Sequence, residues 1–333
     1  MTDTARAVFF AAPRQVEIRD VPLAAGEGGR ADGCYDICIT TMAISAGTEL
    51  LIYRGQQPTS LVADASIASL AGSLDYPLRY GYSAVGTVTA GAQAGKRGFA
   101  FHPHQDRAIV PAADCLDLPD SLGDEDAALL PLMETAITLV HDAAPRYGET
   151  ALVVGLGVVG LLTARLLGEL GCDVIGVEPR PERRQRAERH GCRAVELTGA
   201  GAAVDAATGG RGVDVAVEVS GAPDAMQTGI DSLAFGGTLV AASWLGTRAA
   251  SLDLGTAFHR KRLQIRSSQV SSIDPALSGR WDKPRLLQLA IDTAARLQPA
   301  QYVTHRFPLE RAQEAFELLD GGDDGVLQVL LCA

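Results

Sequence analysis

The sequence has no C-x-x-C pair: its six cysteines, Cys34, Cys38, Cys115, Cys172, Cys192 and Cys332, are scattered. That excludes the usual structural zinc spacings and gives no sign of a disulfide framework. Positive charge is in deficit, 29 Lys and Arg against 40 Asp and Glu for a net −11, which argues against nucleic acid or an anionic membrane surface as the main partner. No segment offers the roughly 18 uncharged apolar residues that span a bilayer. The start, Met-Thr-Asp-Thr-Ala-Arg-Ala-Val-Phe-Phe, has no long apolar run behind a basic flank. A cytoplasmic location is expected. Internal repeats and low-complexity segments are also absent. What remains is a chain of 333 residues with 47% hydrophobic and 21% charged positions, a globular composition long enough for two domains.

The most informative stretch runs from Glu149 to Glu178 and reads as strand, turn, helix, strand. Ala151 to Val154 is a short apolar run suited to a parallel strand covered on both faces. Gly155, Gly157 and Gly160 follow in G-x-G-x-x-G spacing, where the first makes the tight turn, the second admits a pyrophosphate and the third lets helix and strand pack closely. Val158 and Val159 open a helix whose unpaired N–H groups and positive dipole end aim at phosphates. The apolar residues of that helix, Leu161, Leu162, Leu166, Leu167 and Leu170 included, cover too much of its circumference for a surface helix. A second strand, Asp173 to Val177, ends in Glu178, 23 positions past Gly155 and close to the roughly 20 expected for the acid that holds an adenosine ribose. A carboxylate there repels a 2′-phosphate, so NAD is expected. Arg180, Arg183 and Arg184 follow at once and keep NADP open, Arg183 foremost, although arginines early in a helix also make a solvated face.

Along the chain, Ala7 to Phe10, Gln15 to Asp20, Tyr35 to Ala43 and Gly86 to Ala90 read as strands of a β-rich unit. Cys34 and Cys38 fall on one side of such a strand and read as packing. His102 and His104 alternate along a strand and could face one side, and two histidines without a third ligand read as a structural or substrate-facing pair ahead of a metal site. Asp124 to His141 reads as one helix joining two domains. Beyond Glu178, helix Pro181 to Arg189 and strands at Ala194–Val195, Val213 to Val219, Gly237 to Ala241 and Leu263 to Ser267 continue an alternating α/β pattern, which predicts a doubly wound parallel sheet. Ser220 and Gly221 end one of its strands at the carboxyl edge, where such sheets bind ligands. Helices at Arg285 to Leu297 and Glu310 to Leu319, with strands at Tyr302 to Phe307 and Val326 to Leu331, return to the first domain.

Four segments, Gly81-Tyr82-Ser83-Ala84-Val85-Gly86-Thr87-Val88, Val154 to Gly160, Asp214 to Gly221 and Phe235-Gly236-Gly237-Thr238-Leu239-Val240, resemble the medium-chain dehydrogenase/reductase superfamily over nearly the whole chain. The resemblance implies an α/β protein with a GroES-like β-rich catalytic domain, here 1–120 and 270–333, and a Rossmann nucleotide-binding domain, 121–269, enclosing a substrate cleft. Ile44-Ser45-Ala46-Gly47-Thr48-Glu49 looks like the branch with bacteriochlorophyllide hydroxyethyl dehydrogenase and threonine-dehydrogenase-like proteins. By the same resemblance Thr135 lies near the nicotinamide, Ser243, Trp244 and Leu245 form the segment that pairs with its carboxamide, and a homodimer forms through the edge strand Leu263 to Ser267. Trp244 reads equally as packing, and Arg280-Trp281 as a surface loop.

One departure governs the chemistry. Zinc members carry a cysteine in a G-x-C-x-T-D-like segment, a histidine in Gly-His-Glu and a second cysteine near the linking helix; here those places hold Ser45, Tyr82 with Ser83, and Pro131 to Glu134. Such side chains cannot build the N/S tetrahedron of zinc, and the four-cysteine lobe is missing too, so no metal is expected. Without zinc, a side chain must donate to the substrate oxygen. Tyr82 or Thr48 is the expected donor, with Glu49 orienting it; Tyr53, Arg54 and Glu134 are further candidates. The bland alternatives are that Thr48 caps a helix, Glu49 stabilises its first turn and Tyr82 fills space. The expected function is zinc-independent NAD(P)-dependent hydride transfer between the nicotinamide and a small alcohol or ketone. A C=C reductase acting on enoyl thioesters or quinones, and a non-catalytic nucleotide sensor, are the alternatives.

Overall fold

The computed structural model describes residues 4–23, 33–62, 64, 67–70 and 72–333. The chain divides into two compact units, Met1–Pro131 with Ile291–Ala333, and Leu132–Ala290. The first limit lies beyond the expected 120/121 because the short helix Asp124–Ala128 packs on strands of the first unit; the second falls at Ala290/Ile291 instead of 269/270.

The first unit begins with the hairpin β1 (Thr4–Ala12) and β2 (Gln15–Pro22). Then come β3 (Cys34–Ala43), α1 (Ala46–Tyr53), β4 (Ala84–Val88), β5 (Arg97–Ala100), β6 (Arg107–Pro111), β7 (Cys115–Asp117) and α2 (Asp124–Ala128). The expected linking helix is two helices. Leu129 closes α2, and α3 (Leu130–Ala143) starts afresh with Pro131 in its first turn, where a missing N–H costs nothing. Cys38 is exposed on β3 and Cys34 half-buried, so the reading as packing fails for Cys38. The histidines likewise are not on a strand, since β5 ends at Ala100.

The second unit follows as β8 (Thr150–Val154), α4 (Val158–Glu169), β9 (Asp173–Val177), α5 (Pro181–Glu188), β10 (Arg193–Val195), α6 (Ala200–Thr208), β11 (Val213–Glu218), α7 (Ala225–Ser232), β12 (Leu233–Ala241) and β13 (Gln264–Ser267). Its six strands lie in the order β10-β9-β8-β11-β12-β13, and every pairing is parallel. This is the doubly wound order, whose direction reverses between β8 and β11. All five residues of β8 are buried, as a strand covered on both faces requires. Leu152, Val154, Ile175, Val177, Val213 and Leu239 form its core with Ile230 of α7. In α4, Val158, Leu161, Leu162 and Leu167 are buried while Leu170 is 50% exposed. Each buried leucine contributes about 1.5–3 kcal/mol.

The chain then runs through α8 (Lys283–Leu297), β14 (Val303–Pro308), α9 (Ala312–Gly321) and β15 (Gln328–Cys332). The last strand pairs with β3 and β14, so the C-terminus completes a seven-stranded sheet in the first unit. Among the described residues no helix is long and apolar enough to cross a membrane.

Candidate functional site

In the second unit the glycine-rich turn joins β8 to α4 at the sheet's reversal point. Gly155 adopts φ +98°, and a Cβ there would stand 2.5 Å from Cα of Ser220 at the end of β11. A Cβ on Gly160 would meet the Gly155 carbonyl oxygen at 1.9 Å. Both glycines are therefore required by backbone packing. Gly157 differs: its Cβ position has only Arg183 Nη1 near it, at 4.0 Å. Open space at this one glycine fits the approach of a pyrophosphate. Val158 and Val159 begin the helix, with Val158 buried and Val159 half-buried.

Glu178 is buried at the end of β9. Its Oε2 accepts the Leu156 amide at 2.9 Å and its Oε1 the Arg180 amide at 3.1 Å, which ties the acid to the glycine turn and leaves lone pairs for ribose hydroxyls. Arg183 Nη1 lies 4.0 Å from Glu178 Oε2. Arg184 instead turns back onto the carbonyls of Glu178 and Pro179 and onto Glu196, so it is spent on the fold.

Ser220, Gly221 and Ser243 form one polar knot. Glu218, fully buried at the end of β11, accepts through Oε1 from the Ser220 amide at 2.8 Å, the Ser220 hydroxyl at 2.6 Å and the Ser243 hydroxyl at 3.0 Å. Ser243 in turn accepts the Gly221 amide at 2.8 Å. Glu218 was not among the expected residues; an acid closing a central parallel strand was the signal for it. Trp244 is half-buried, and Leu245 packs against the sheet core. Thr135 is half-buried on α3. Next to it in the chain, buried Glu134 pairs with Lys283, whose ammonium also donates to Val270 O at 2.8 Å. Burial raises the Glu134 carboxyl above its usual range, and Lys283 partly offsets this. The Trp281 ring meets the tilted His141 ring at 4.5 Å and the Arg285 guanidinium at 4.0 Å.

In the first unit Ser45, Thr48, Glu49 and Tyr82 do come together. Ser45, not Thr48, is the N-cap of α1, and Glu49 reaches back to the Ser45 amide at 2.7 Å, so part of the bland reading of Glu49 is realised. The Tyr82 phenol hydrogen-bonds the side chains of Ser45 and Thr48; burial, with the Glu49 charge, pushes it up to about 12. Glu49 also meets a residue the site reading missed, His104, whose Nε2 lies 2.8 Å from Glu49 Oε2 with both side chains fully buried. No sequence signal linked them across 55 positions. His102 goes elsewhere, with Nδ1 3.0 Å from the Pro103 carbonyl oxygen, and burial lowers it to about 4. Tyr53 and Arg54 turn to α9: Tyr53 stacks on Phe316 and Arg54 pairs with Asp320.

The zinc positions do not fit the metal. Ser83 is used up, donating to Ala128 O at 2.7 Å and accepting the Ala43 amide at 3.2 Å. Counted back from Thr48-Glu49, the cysteine of C-x-T-D falls on Ala46 rather than Ser45, and alanine has no donor atom at all. Among the described residues no group of three or more His, Cys, Asp or Glu side chains is placed to hold a metal ion. A serine hydroxyl already spent on the backbone and an alanine methyl offer zinc none of the Cys, His or carboxylate ligands it takes.

Comparison with known proteins finds likenesses over part of the chain. Residues 158–289 match the model of the zinc-binding dehydrogenase family. Over 193 residues the chain is 32% identical to the D-guloside 3-dehydrogenase of Escherichia coli K12, covering 56% of this chain and 55% of that protein. Over 188 residues it is 31% identical to the (R,R)-butanediol dehydrogenase of Bacillus subtilis, covering 55% and 50%. The chain thus spans about half the length of such curated relatives. These matches are partial likenesses: the family model covers less than half of the chain. Among solved structures, the 2R,3R-butanediol dehydrogenase of B. subtilis aligns over 99% of both chains with a TM-score of 0.78 and 20% identity. An alcohol dehydrogenase from E. coli CFT073, solved with NADH, aligns over 100% of both with a TM-score of 0.78 and 17% identity. The fold is that of these alcohol dehydrogenases: a mixed-sheet unit with a Rossmann-like parallel-sheet unit.

Proposed function

We propose that the protein is a nicotinamide-nucleotide-dependent oxidoreductase that interconverts a small alcohol and its ketone without zinc. The observation that carries this reading is the Tyr82 phenol resting on Ser45 and Thr48 beside buried Glu49, in a segment where zinc relatives keep ligands. The named relatives, a guloside 3-dehydrogenase and a butanediol dehydrogenase, support a secondary alcohol as the substrate class.

A bound nicotinamide nucleotide supplies the hydride. The chain's own residues hold that cofactor: Gly157 admits the pyrophosphate, Val158, Val159 and Gly160 open the helix toward it, and Glu178 takes the adenosine ribose. Arg183 stands beside Glu178, but the carboxylate repels a 2′-phosphate, so NAD is preferred over NADP. Thr135, Ser220, Gly221, Ser243, Trp244 and Leu245 bound the nicotinamide end.

Within the first unit, Ser45 and Thr48 donate to the phenol oxygen, leaving the Tyr82 proton for a substrate oxygen. Held at about 12, the phenol keeps its proton at neutral pH, so its part is general acid in ketone reduction. Glu49 orients the group through the Ser45 turn. We further propose a homodimer joined at β13, which ends the parallel sheet and carries half-exposed Ile265.

A screen of secondary alcohols and ketones against enones and quinones, read by nicotinamide absorbance, tests the reading. Turnover with the first group is expected. Turnover with enones alone would replace the reading with a C=C reductase, and nucleotide binding without any turnover would leave a sensor.

A further inference from the structure

Enclosed in the first unit is a carboxylate–imidazole pair whose imidazole has so far been given no task. Glu49 and His104 are both 0% exposed, with His104 Nε2 2.8 Å from Glu49 Oε2. The second glutamate oxygen takes the Ser45 amide at 2.7 Å. His104 Nδ1 is buried and, among the described residues, has no hydrogen-bond partner.

Those contacts locate the protons. A buried N–H without an acceptor is rarer in folded proteins than an unused lone pair. An imidazolium would leave Nδ1–H in that condition, and so would a neutral Glu49 donating its own proton to Nε2. Neutral His104 protonated on Nε2, facing ionised Glu49, is the one arrangement with no orphaned donor.

The imidazole has a second contact. Gly81 adopts φ +114°, and a Cβ on it would lie 2.7 Å from His104 Cδ2 and Nε2. His104 therefore packs directly on the residue that leads into Tyr82. Through Glu49 it also reaches Ser45, whose side chain bonds the Tyr82 phenol. The backbone entry to Tyr82 and the seat of its hydroxyl thus converge on one ring. The other titratable groups in reach are Tyr80, Asp64 and His102.

We propose that His104 is a positioning residue: its Nε2–H holds Glu49 as a carboxylate, and Glu49 holds the Ser45–Thr48 turn on which the Tyr82 hydroxyl rests. The proposal rests on the reading of Tyr82 as proton donor. Its tests use the protein without substrate, so it can fail while that reading stands, and the reverse.

The first test needs no structural substitution beyond assignment. Nitrogen NMR of histidine-labelled protein, with the His104 signals assigned by their loss in His104→Gln, should show a protonated Nε2 and a bare Nδ1. A protonated Nδ1 overturns the proposal. The second compares His104→Leu, which fills the space without a donor, with His104→Gln, whose amide N–H can replace it. Infrared spectra at neutral pH should show a protonated-carboxyl band in His104→Leu that Glu49→Gln removes, and no such band in the unaltered protein or in His104→Gln. The ring signal of Tyr82 in tyrosine-labelled protein, assigned with Tyr82→Phe, should move in His104→Leu and return in His104→Gln. A folded His104→Leu protein with no band, or with an unmoved Tyr82 signal, refutes the proposal, as does an equal band in both variants. If His104→Leu does not fold, the nitrogen spectrum decides alone.

Discussion

Ser243 donates its hydroxyl to Oε1 of Glu218 at 3.0 Å, across the ends of two adjacent parallel strands. Because Ser243 also receives the Gly221 amide at 2.8 Å, one buried carboxylate fixes both segments assigned here to the nicotinamide end of the cofactor. Glu218→Ala removes the acceptor of three hydrogen bonds at once. The expected result is a stability loss of about 2–5 kcal/mol by denaturant unfolding, since a hydrogen bond to a charged group is worth about 1.5–3 kcal/mol. Nucleotide affinity by calorimetry should fall at least about tenfold, equivalent to about 1.4 kcal/mol. Unchanged affinity in a folded variant would detach Glu218 from the cofactor site.

The glycine fingerprint makes a contrast between two substitutions of the same size. A Cβ at Gly157 enters open space, whereas at Gly160 it strikes the Gly155 carbonyl oxygen at 1.9 Å. Gly157→Ala should keep the melting temperature within a degree or two of the parent and weaken dinucleotide binding about tenfold or more, because the methyl group occupies the approach of the pyrophosphate. Gly160→Ala should lose stability first. Equal binding by the Gly157→Ala protein would mean that no phosphate passes there.

An acid-side prediction comes from His102. Burial, its largest cause, lowers the imidazole from 6.5 to about 4, with the Pro103 carbonyl pulling the other way. The unfolded chain therefore takes up this proton before the folded one does. The stabilisation is complete above pH 6.5 and is lost as pH falls toward 4, amounting to roughly 3 kcal/mol at 1.36 kcal/mol per unit. His102→Asn should flatten the fall in stability between pH 6.5 and 4. A stability profile of the same slope in both proteins would contradict the assignment.

The parallel sheet was legible because its signals are local. Val154 to Gly160 carries strand end, turn and helix start within one window, and Glu178 follows at the expected distance. The observed order β10-β9-β8-β11-β12-β13 is what that pattern predicts. The linking helix was misread as continuous because apolar periodicity runs through Leu129, where the backbone breaks before Pro131. His104 was legible as a residue but not as a partner, since its pairing with Glu49 depends on how a loop after β5 crosses α1. Thr48-Glu49 sets the register of the zinc segment, which puts Ala46 and not Ser45 at the cysteine position. Pairings made by tertiary packing leave no period in the sequence.

The account stands on Tyr82 supplying the proton without a metal. The decisive measurement is the steady-state rate of ketone reduction by chelator-treated protein, with residual zinc quantified, for the parent and for Tyr82→Phe. Undiminished turnover of the parent after chelation and a fall of about 10²-fold or more in kcat for Tyr82→Phe are predicted, within the range general acids contribute. Turnover that disappears with the metal, or that Tyr82→Phe leaves intact, would contradict it.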